Sequence, residues 1–250
     1  MRYDIFVAKR LNLSRNKALE LIENEEILLN SKPYKASFDV QNLLKNKIAD
    51  QEELLNSKEL NLELLGELYV SRAAFKLKYF LENHNINIAN KTCLDIGSST
   101  GGFVQILLEH KALKVSALDV GDNQLHPSLR DDKRIEIIEN TDLRTFKSEQ
   151  KFDFITCDVS FISLAYLLSY IDNLALKDIV LLFKPQFEVG KQAKRDKKGV
   201  LKDEKAVFKA MREFENACAR LGWILQCCEE SKIKGKEGNI EYFYYYTKKY

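Results

Sequence analysis

The sequence has few cysteines, no long apolar run and little net charge, and each shortage excludes a class of protein. Its five cysteines are an odd number with no pair spaced as C-x-x-C, which argues against a disulfide framework or a zinc site and favours reduced thiols in a cytosol. The longest apolar runs, such as residues 179–183, are far too short to span a bilayer. The N-terminus carries no apolar segment of the signal-peptide kind, so we expect a cytoplasmic protein.

Charges of the two signs nearly balance, with 39 Lys and Arg against 37 Asp and Glu and a formal net charge of +2. No strong overall field therefore attracts nucleic acid, and any basic surface must be local. The hydrophobic fraction of 45% is ordinary for a globular protein with a core. A length of 250 residues permits one large or two modest domains.

From about residue 68 onward, segments with strand and helix character alternate. We predict strands over residues 92–95, 114–119, 134–139, 152–157, 179–183, 223–228 and 241–247, and helices over residues 71–81, 102–109, 163–170 and 204–221. Such alternation indicates an α/β fold with a mostly parallel, doubly wound sheet. The last two strands would form an antiparallel hairpin at its edge.

The N-terminal part has a different pattern. Residues 14–22 have the capping residue and apolar spacing of a helix, and residues 27–35 are predicted to form a hairpin. Residues 41–67 are rich in Asn, Lys, Glu and Leu, and we interpret them as a helical or partly ordered linker. We therefore place a small α+β domain with its linker at residues 1–60 and a larger domain at residues 61–250.

The most informative segment is LDIGSSTGGF at residues 94–103. An apolar run ends in Asp95 and passes into small residues and glycines, which let a backbone approach a ligand closely at the carboxyl edge of a sheet. The helix that follows offers free N–H donors to a carboxylate, and Asp119 ends the next predicted strand, where an acid typically binds ribose hydroxyls. These features favour a nucleoside cofactor. The alternatives are a glycine turn without a ligand and a dinucleotide-binding fold, whose G-x-G-x-x-G pattern is missing.

Six segments resemble the TlyA family of rRNA cytidine 2′-O-methyltransferases, a family that has also been called hemolysins. They are YVSRAAFKL (69–77), LDIGSSTGGF (94–103), LDVGDNQL (118–125), CDVSFISL (157–164), KPQFEVG (184–190) and GNIEYF (238–243). The segment at 94–103 also resembles the first motif of the Rossmann-type methyltransferases of the FtsJ group. The resemblance covers nearly the whole chain and implies a Rossmann-like class I methyltransferase fold with S-adenosylmethionine as cofactor.

Eleven residues in and around these motifs are expected to contact the cofactor. They are Asp95, Gly97, Ser98, Ser99, Thr100, Gly101, Gly102, Phe103, Asp119, Asp142 and Asp158. Asp142 stands where the family usually has Asn, near the adenine. Its carboxylate could accept a hydrogen bond from the adenine amine, or it could be an ordinary turn residue.

The resemblance also implies a Lys-Asp-Lys-Glu tetrad of the kind that ribose 2′-O-methyltransferases carry. Its members in this chain are Lys76, Asp158, Lys184 and Glu241. A ribose 2′-hydroxyl must lose its proton as it attacks the sulfonium methyl, which requires a general base. Lys184 is the candidate base, because it follows an apolar strand and a dry site beside another cation favours a neutral lysine. Lys76 would hold the substrate or assist Lys184, and the two acids would orient the two lysines.

Each tetrad member also has an ordinary structural interpretation. Lys76 could be a solvated helix charge, and Glu241 could be an edge-strand charge. Asp158 and Lys184 are less easily explained in this way, because both follow apolar strands, where open sheets place their sites. Enzymes that methylate bases have other sequence features. The turn after Asp158 lacks the prolines of exocyclic-amine methyltransferases. Cytosine-carbon methyltransferases need a nucleophilic cysteine, but Cys157 would point into the sheet packing instead.

The N-terminal part resembles the αL RNA-binding domain shared by pseudouridine synthases, tyrosyl-tRNA synthetases and a small-subunit ribosomal protein. The matching segments are residues 2–4, 13–18 and 27–35. Nine basic residues are candidates for phosphate contacts, six in this part and three in a loop that should rim the active site. They are Arg2, Arg10, Arg15, Lys17, Lys32, Lys35, Lys191, Lys194 and Arg195. A surface of mixed charge and a solvated loop are the alternatives.

The resemblance therefore implies a ribosomal RNA partner in an assembled subunit, and the large subunit in particular, because the chain looks like the shorter type of TlyA protein. No motif requires a metal ion. Two functions of other classes stay open: a non-catalytic rRNA assembly factor that keeps the fold and the cofactor pocket, and a membrane-active hemolysin.

Overall fold

The computed structural model describes residues 1–23, 25–65, 68–190, 192–197, 199–235 and 237–249. The chain forms two compact units, residues 1–68 and residues 69–250. Among the predicted site residues, Lys191 lies outside the described ranges.

The N-terminal unit packs short helices and strands around a core of its own. The elements are α1 (Tyr3–Arg10), α2 (Arg15–Glu23), β1 (Ile27–Leu29), the 3₁₀ helix Val40–Leu43, α3 (Gln51–Asn56) and β2 (Leu62–Leu64). Tyr3 and Phe6 from α1, Leu21 from α2 and Leu29 from β1 are buried together in this core. Burial of these apolar side chains is what stabilises so small a unit.

The prediction of a hairpin in this unit was wrong about the second strand. β1 pairs in antiparallel register with β2 rather than with residues 32–35. The expected turn forms, but pairing stops after an isolated bridge between Leu29 and Lys32. Pro33 has no N–H with which to continue the ladder, so β1 takes its partner from later in the chain.

The described part of the predicted linker, residues 41–65, belongs to the N-terminal unit, and the boundary between the units lies later than residue 60. Leu54 and Leu60 are buried in the N-terminal core, and β2 completes the N-terminal sheet. The unit therefore extends to residue 68. The two buried leucines stand among Asn, Lys and Glu, so a composition rich in polar residues concealed their apolar contacts.

The C-terminal unit alternates strands and helices. Its strands are β3 (Thr92–Ile96), β4 (Lys114–Leu118), β5 (Ile135–Ile138), β6 (Phe152–Cys157), β7 (Ala175–Phe183), β8 (Trp223–Glu230) and β9 (Tyr242–Lys248). Its helices are α4 (Arg72–His84), α5 (Gly102–Glu109), α6 (Pro127–Arg130), α7 (Leu168–Leu174), α8 (Pro185–Glu188) and α9 (Glu204–Arg220). None of the helices in the described part of the chain combines the length and the apolar character that crossing a membrane requires.

The helix predicted over residues 163–170 forms as two pieces. Ser163 accepts a hydrogen bond from the backbone N–H of Ala165 and so starts the 3₁₀ helix Leu164–Tyr166. α-Helical geometry begins only at Leu168, the first residue of α7. A side-chain cap two residues before the donor favours the tighter 3₁₀ turn here.

The strands of this unit form one sheet in the order β5-β4-β3-β6-β7-β9-β8. Neighbours from β5 through β7 are parallel, and β9 is antiparallel to both β7 and β8. The predicted α/β sheet with an antiparallel edge is therefore confirmed. Because successive side chains point to opposite faces, Phe154 and Val180 pack with α4 and α5, whereas Ile155 and Leu181 pack with α7 and α9.

This topology brings the functional segments to one edge of the sheet. The residues that directly follow the parallel strands β3, β4, β6 and β7 are Gly97, Asp119, Asp158 and Lys184. The carboxyl ends of parallel strands meet at the same edge. β9 runs in the opposite direction, with Tyr242 opposite Phe183, so Glu241 at its start reaches this edge as well.

Candidate active site

A cleft opens along the carboxyl edge of the sheet. It consists of two adjoining cavities, of about 500 Å³ and about 290 Å³, which share residues in the turns after β3 and β6. The shared residues are Gly97, Ser99, Asp158 and Ser160. The larger cavity is also lined by Lys76, Asp95, Ser98, Thr100, Gly102, Phe103 and Lys184. The smaller cavity is also lined by Leu118, Asp119, Thr141, Asp142 and Leu143.

Lys184 and Asp158 form an ion pair in the larger cavity. Lys184 Nζ lies 2.6 Å from Asp158 Oδ1 and donates a hydrogen bond to Ser160 Oγ at 2.9 Å. The side chains of Lys184 and Asp158 are 9% and 14% exposed, so water screens their attraction only weakly. The pair forms because β6 and β7 are adjacent and parallel. Ser160 was not predicted, although it belongs to the segment CDVSFISL.

Lys76 and Glu241 form a second ion pair. Lys76 Nζ donates to Glu241 Oε2 at 2.7 Å, and Glu241 Oε1 accepts from Gln186 Nε2 at 3.3 Å. A side chain on Gly235 would collide with Glu241 Oε1, so the carboxylate is enclosed on that side as well. Glu241 lines neither cavity, and it is connected to the cleft by its contact with Lys76, which lines the larger one. Gln186 was not predicted, although it stands two residues after Lys184 in KPQFEVG.

Asp95 is buried in the wall of the larger cavity and lacks a full set of partners. Its Oδ1 accepts from Thr156 Oγ1 at 2.7 Å, whereas its Oδ2 has no hydrogen-bond partner among the described residues. Burial, together with the negative charges of Asp158 and Asp119, raises the pKa of Asp95 to about 7. A buried carboxylate oxygen that accepts no hydrogen bond from the protein and lies beside a cleft can bind a hydrogen-bond donor or a cationic group of a ligand.

Two glycines shape the turn after β3. Gly97 has a φ of +80°, and a Cβ there would lie 2.8 Å from the carbonyl oxygen of Asp158, so only glycine lets these two turns approach so closely. Gly101 has a φ of +92°, and the space for its Cβ is taken by Leu125 and Leu129. Gly101 does not line either cavity in the described structure, so its requirement for glycine is conformational.

Asp119 lines the smaller cavity and also holds its loops. Its Oδ2 accepts from the backbone N–H of Ser99 at 2.8 Å, and its Oδ1 accepts from a backbone N–H two residues later. An ionised carboxylate has about four acceptor positions, so Asp119 can still accept from ribose hydroxyls. Glu139, which was not predicted, orders the next part of the loop: it pairs with Arg130 and accepts from the backbone N–H groups of residues 123–125.

Asp142 lines the smaller cavity and also begins a tight turn. Arg144 Nη2 lies 2.6 Å from Asp142 Oδ2, and the carbonyl oxygen of Asp142 accepts from the backbone N–H of Thr145 at 2.9 Å. The hydrogen bonds from Arg144 lower the pKa of Asp142, which keeps the carboxylate ionised as an acceptor. A turn function and a contact with adenine are compatible, so the contact with adenine stays a prediction.

In the N-terminal unit, Arg2 and Arg15 share a buried acid. Both guanidinium groups donate to the carboxylate of Asp4, which is fully buried. Burial acts to raise the pKa of Asp4, but the hydrogen bonds from Arg2 and Arg15 overcome this and hold it below its ordinary value. The three side chains together therefore carry one net positive charge, and both arginines remain about half exposed.

The other basic candidates of this unit differ in whether their charged groups contact other side chains. Lys17 lies 3.4 Å from Glu20, and the Arg10 guanidinium lies 6.0 Å from the centre of the Phe6 ring. Further along the chain, the candidates Lys32 and Lys35 are exposed and form no ion pair with a described residue.

The loop after α8 carries the remaining candidates, Lys194 and Arg195, both of which are exposed. Arg195 Nη2 donates to the carbonyl oxygen of Gln186 at 3.0 Å, and the backbone N–H of Lys194 donates to Asp203. The loop is therefore attached to α8 at Gln186, the same residue that contacts Glu241.

Comparison with known proteins assigns the family. Residues 69–248 match the FtsJ-like methyltransferases. A Campylobacter jejuni protein named 23S rRNA (cytidine-2′-O)-methyltransferase TlyA is 69% identical over 252 residues, which cover 99% of this chain and 100% of that protein. A Mycobacterium tuberculosis protein named 16S/23S rRNA (cytidine-2′-O)-methyltransferase TlyA is 41% identical over 180 residues, which cover 70% of this chain and 67% of that protein.

A solved structure supports the same assignment. A Lactococcus lactis protein to which a hemolysin role has been ascribed superposes with a TM-score of 0.68 at 36% identity, over 72% of this chain and 89% of that chain. The family match covers most of the C-terminal unit, and the similarity to the C. jejuni protein extends over both units. The chain therefore belongs to the FtsJ-like methyltransferases and, within them, to the TlyA family.

Proposed function

We propose that this protein transfers a methyl group from S-adenosylmethionine to the 2′-hydroxyl of a cytidine in ribosomal RNA, and that its substrate is the large ribosomal subunit. The observation that carries this proposal is the convergence of two ion pairs, Lys184–Asp158 and Lys76–Glu241, on one cleft. The choice of large-subunit RNA is supported by the 69% identity to a C. jejuni protein named for 23S rRNA.

The residues of the cleft fit S-adenosylmethionine. Its ammonium group would meet the buried Oδ2 of Asp95, which has no partner among the described residues, and its carboxylate would meet the N–H groups at the start of α5. Its adenosine would occupy the smaller cavity, where Asp119 can accept from the ribose hydroxyls and Leu118 and Leu143 supply apolar walls. When bound, the cofactor supplies a methyl group that is already activated on a sulfonium.

Lys184, once its ammonium group has released a proton to solvent, would take the proton of the 2′-hydroxyl while the new O–CH₃ bond forms and the S–CH₃ bond breaks. Asp158, which lies 2.6 Å from Lys184 Nζ, would stabilise the ammonium group that results. Ser160 orients the amine, and Lys76, fixed by Glu241, would bind the ribose. Holding the hydroxyl next to an activated methyl group supplies much of the rate acceleration.

The N-terminal unit and the loop after α8 would hold the backbone of the RNA. Lys32 and Lys35 are exposed and form no ion pair with a described residue, and Arg195 lies in an exposed loop. Contacts of such side chains with phosphates position an RNA without reading its sequence. The choice of a cytidine must therefore come from the shape of the folded RNA and from contacts at the cleft.

The proposal is tested by methyl transfer from labelled S-adenosylmethionine to purified large and small ribosomal subunits that lack the modification. Nuclease digestion and mass spectrometry then separate ribose methylation from base methylation. Wild-type protein should place a 2′-O-methyl group on a large-subunit cytidine. Lys184→Ala should abolish transfer while binding of the subunit persists, which also separates an enzyme from a non-catalytic assembly factor.

Lys177→Ala is the matched control, because Lys177 lies exposed at the opposite end of the same strand, β7. It should methylate as the wild type does. Transfer to a base, transfer to the small subunit alone, or full activity of Lys184→Ala would each contradict the proposal.

A further inference from the structure

A pocket of about 400 Å³ adjoins the larger cavity next to α9. We call it the side pocket. Its wall includes Pro185, which directly follows Lys184, and Tyr242, which directly follows Glu241. Lys234 lines both the side pocket and the larger cavity. The side pocket and the tetrad are therefore neighbours, and one extended ligand can occupy both.

Part of the wall is apolar and uncovered. Phe208, on the second turn of α9, is 67% exposed, and Ile240 is 39% exposed, while Met211 lies one turn further along the helix in the same wall. Asp203 caps α9 by accepting from the backbone N–H of Ala206, which fixes the first turns of the helix. An exposed aromatic ring at a concave site is the arrangement on which single-stranded bases stack.

Other lining residues supply hydrogen-bond donors and positive charge. Asn239 Oδ1 accepts from the backbone N–H of Leu201 at 2.9 Å, which orients the amide, and its Nδ2 has no hydrogen-bond partner among the described residues. Lys234 brings an ammonium group to the pocket, and Lys202, which also lines it, pairs with Asp196 at 3.7 Å. Burial raises the pKa of the Tyr242 phenol, so its hydroxyl stays protonated and can donate.

We propose that the side pocket binds the nucleotide that neighbours the methylated ribose in the RNA, with its base on Phe208 and its phosphate beside Lys234. This inference rests on the proposed function. The neighbouring nucleotide is covalently joined to the ribose at the tetrad, so it must lie within reach of that cleft. Its flat base, its edge acceptors and its phosphate match the exposed ring, the Asn239 amide and the lysines.

Two acids also line the side pocket. Asp203 uses its carboxylate to accept backbone N–H groups of Ala206 and Lys194, so its charge is engaged at the helix start. Glu204 follows it in the first turn of α9 and is exposed to water. Neither acid lines the larger cavity, whereas Lys234 lines both cavities.

The test is steady-state methylation of purified large subunits that lack the modification. Phe208→Leu keeps the apolar bulk and removes the aromatic face, and it should raise KM by about tenfold, the usual loss for one stacked base. It should leave kcat unchanged, because the side pocket does not touch the reacting atoms. Phe208→Tyr keeps the aromatic face and should behave as the wild type. Leu113→Ala removes a 59% exposed apolar side chain just before β4, at the other end of the sheet, and should change neither constant.

A photocrosslink then locates the occupant. Phe208→p-benzoylphenylalanine, irradiated in the complex with the subunit, should crosslink to the nucleotide next to the methylated cytidine. A crosslink to a ribosomal protein would overturn the inference, and so would a Phe208→Leu variant with the KM of the wild type. If the wild-type protein methylates the large subunit in the same experiments, the proposed function still stands. A wild-type protein that methylates neither subunit would overturn both.

Discussion

Lys76 on α4 and Glu241 before β9 stand 165 residues apart in the sequence, and their side chains meet at 2.7 Å. The two side chains are 11% and 3% exposed. An intact buried ion pair adds little net stability, but loss of one partner leaves an uncompensated charge in the protein. The pair therefore has a structural role and, in the proposed mechanism, a catalytic one, and variants can separate the two.

Glu241→Gln should lower the free energy of unfolding by about 3 kcal/mol, because Lys76 keeps its charge and loses its counter-ion. The same variant should slow methyl transfer by about 100-fold, because Lys76 is no longer held at the substrate. Urea unfolding and single-turnover methylation measure the two effects. The double variant Lys76→Met, Glu241→Gln should regain most of the stability and none of the activity, and equal stability of the single and double variants would contradict this account.

Gly97→Ala should weaken binding of S-adenosylmethionine as well as stability. Gly97 has a φ of +80° and its Cβ would lie 2.8 Å from a backbone oxygen of Asp158, so the turn must move. Gly222→Ala is a close control, because Gly222 has a φ of +78° and open space around its Cβ. The control should lose about 1 kcal/mol of stability from the left-handed backbone alone and bind the cofactor normally. Thermal melting and calorimetric titration measure both properties, and normal cofactor affinity in Gly97→Ala would refute the prediction.

Asp95 should make cofactor binding depend on pH. Its pKa is raised from 3.8 to about 7 by burial and by Asp158 and Asp119, so the carboxylate that would pair with the cofactor's ammonium group forms only as the pH rises through about 7. Calorimetric titration from about pH 6 to about pH 8 should show affinity that increases with pH. Asp95→Asn should bind more weakly at every pH and lose this increase; a variant that keeps it would place the titrating group elsewhere.

The same group should affect the stability of the cofactor-free protein in the opposite sense. Between pH 3.8 and about 7 the folded chain holds a proton on Asp95 that the unfolded chain has released. Stability contributed by this group is therefore present at low pH and is lost as the pH rises toward about 7. Urea unfolding of the wild type and of Asp95→Asn at several pH values should show a smaller decline for the variant in this window.

Leu60→Ala tests the extent of the N-terminal unit. Leu60 is fully buried in the N-terminal core, so its truncation should lower the free energy of unfolding of that unit by about 2 to 5 kcal/mol. Leu65→Ala is the control, because Leu65 is 62% exposed and its loss should cost less than about 0.5 kcal/mol. Limited proteolysis and urea unfolding of the full chain provide the readouts. Equal behaviour of the two variants would mean that residues 41–65 act as a linker after all.

Local pattern was enough to predict the α/β architecture and many element bounds. β6 (Phe152–Cys157) and α5 (Gly102–Glu109) have the predicted ends, because β6 is mostly apolar, as strands buried on both faces are, and because Gly101 takes the left-handed backbone at the start of the helix. β7 begins at Ala175, four residues before the predicted start. Leu176 and Lys177 at its beginning are exposed, so the apolar run that signals a buried strand starts later than the strand itself.

Asp119, Asp158 and Lys184 could be read from the chain, because acids and lysines that directly follow apolar strands lie at the carboxyl edge of a parallel sheet, whereas Lys76 and Glu241 were expected only from the resemblance to the TlyA family. The tertiary structure alone decided which of these side chains meet: Lys76 with Glu241, and Glu241 with Gln186. It also decided that β1 pairs with β2 across an apparent linker. Such partners are set by register and packing between segments far apart in the chain, where local periodicity and composition carry no information.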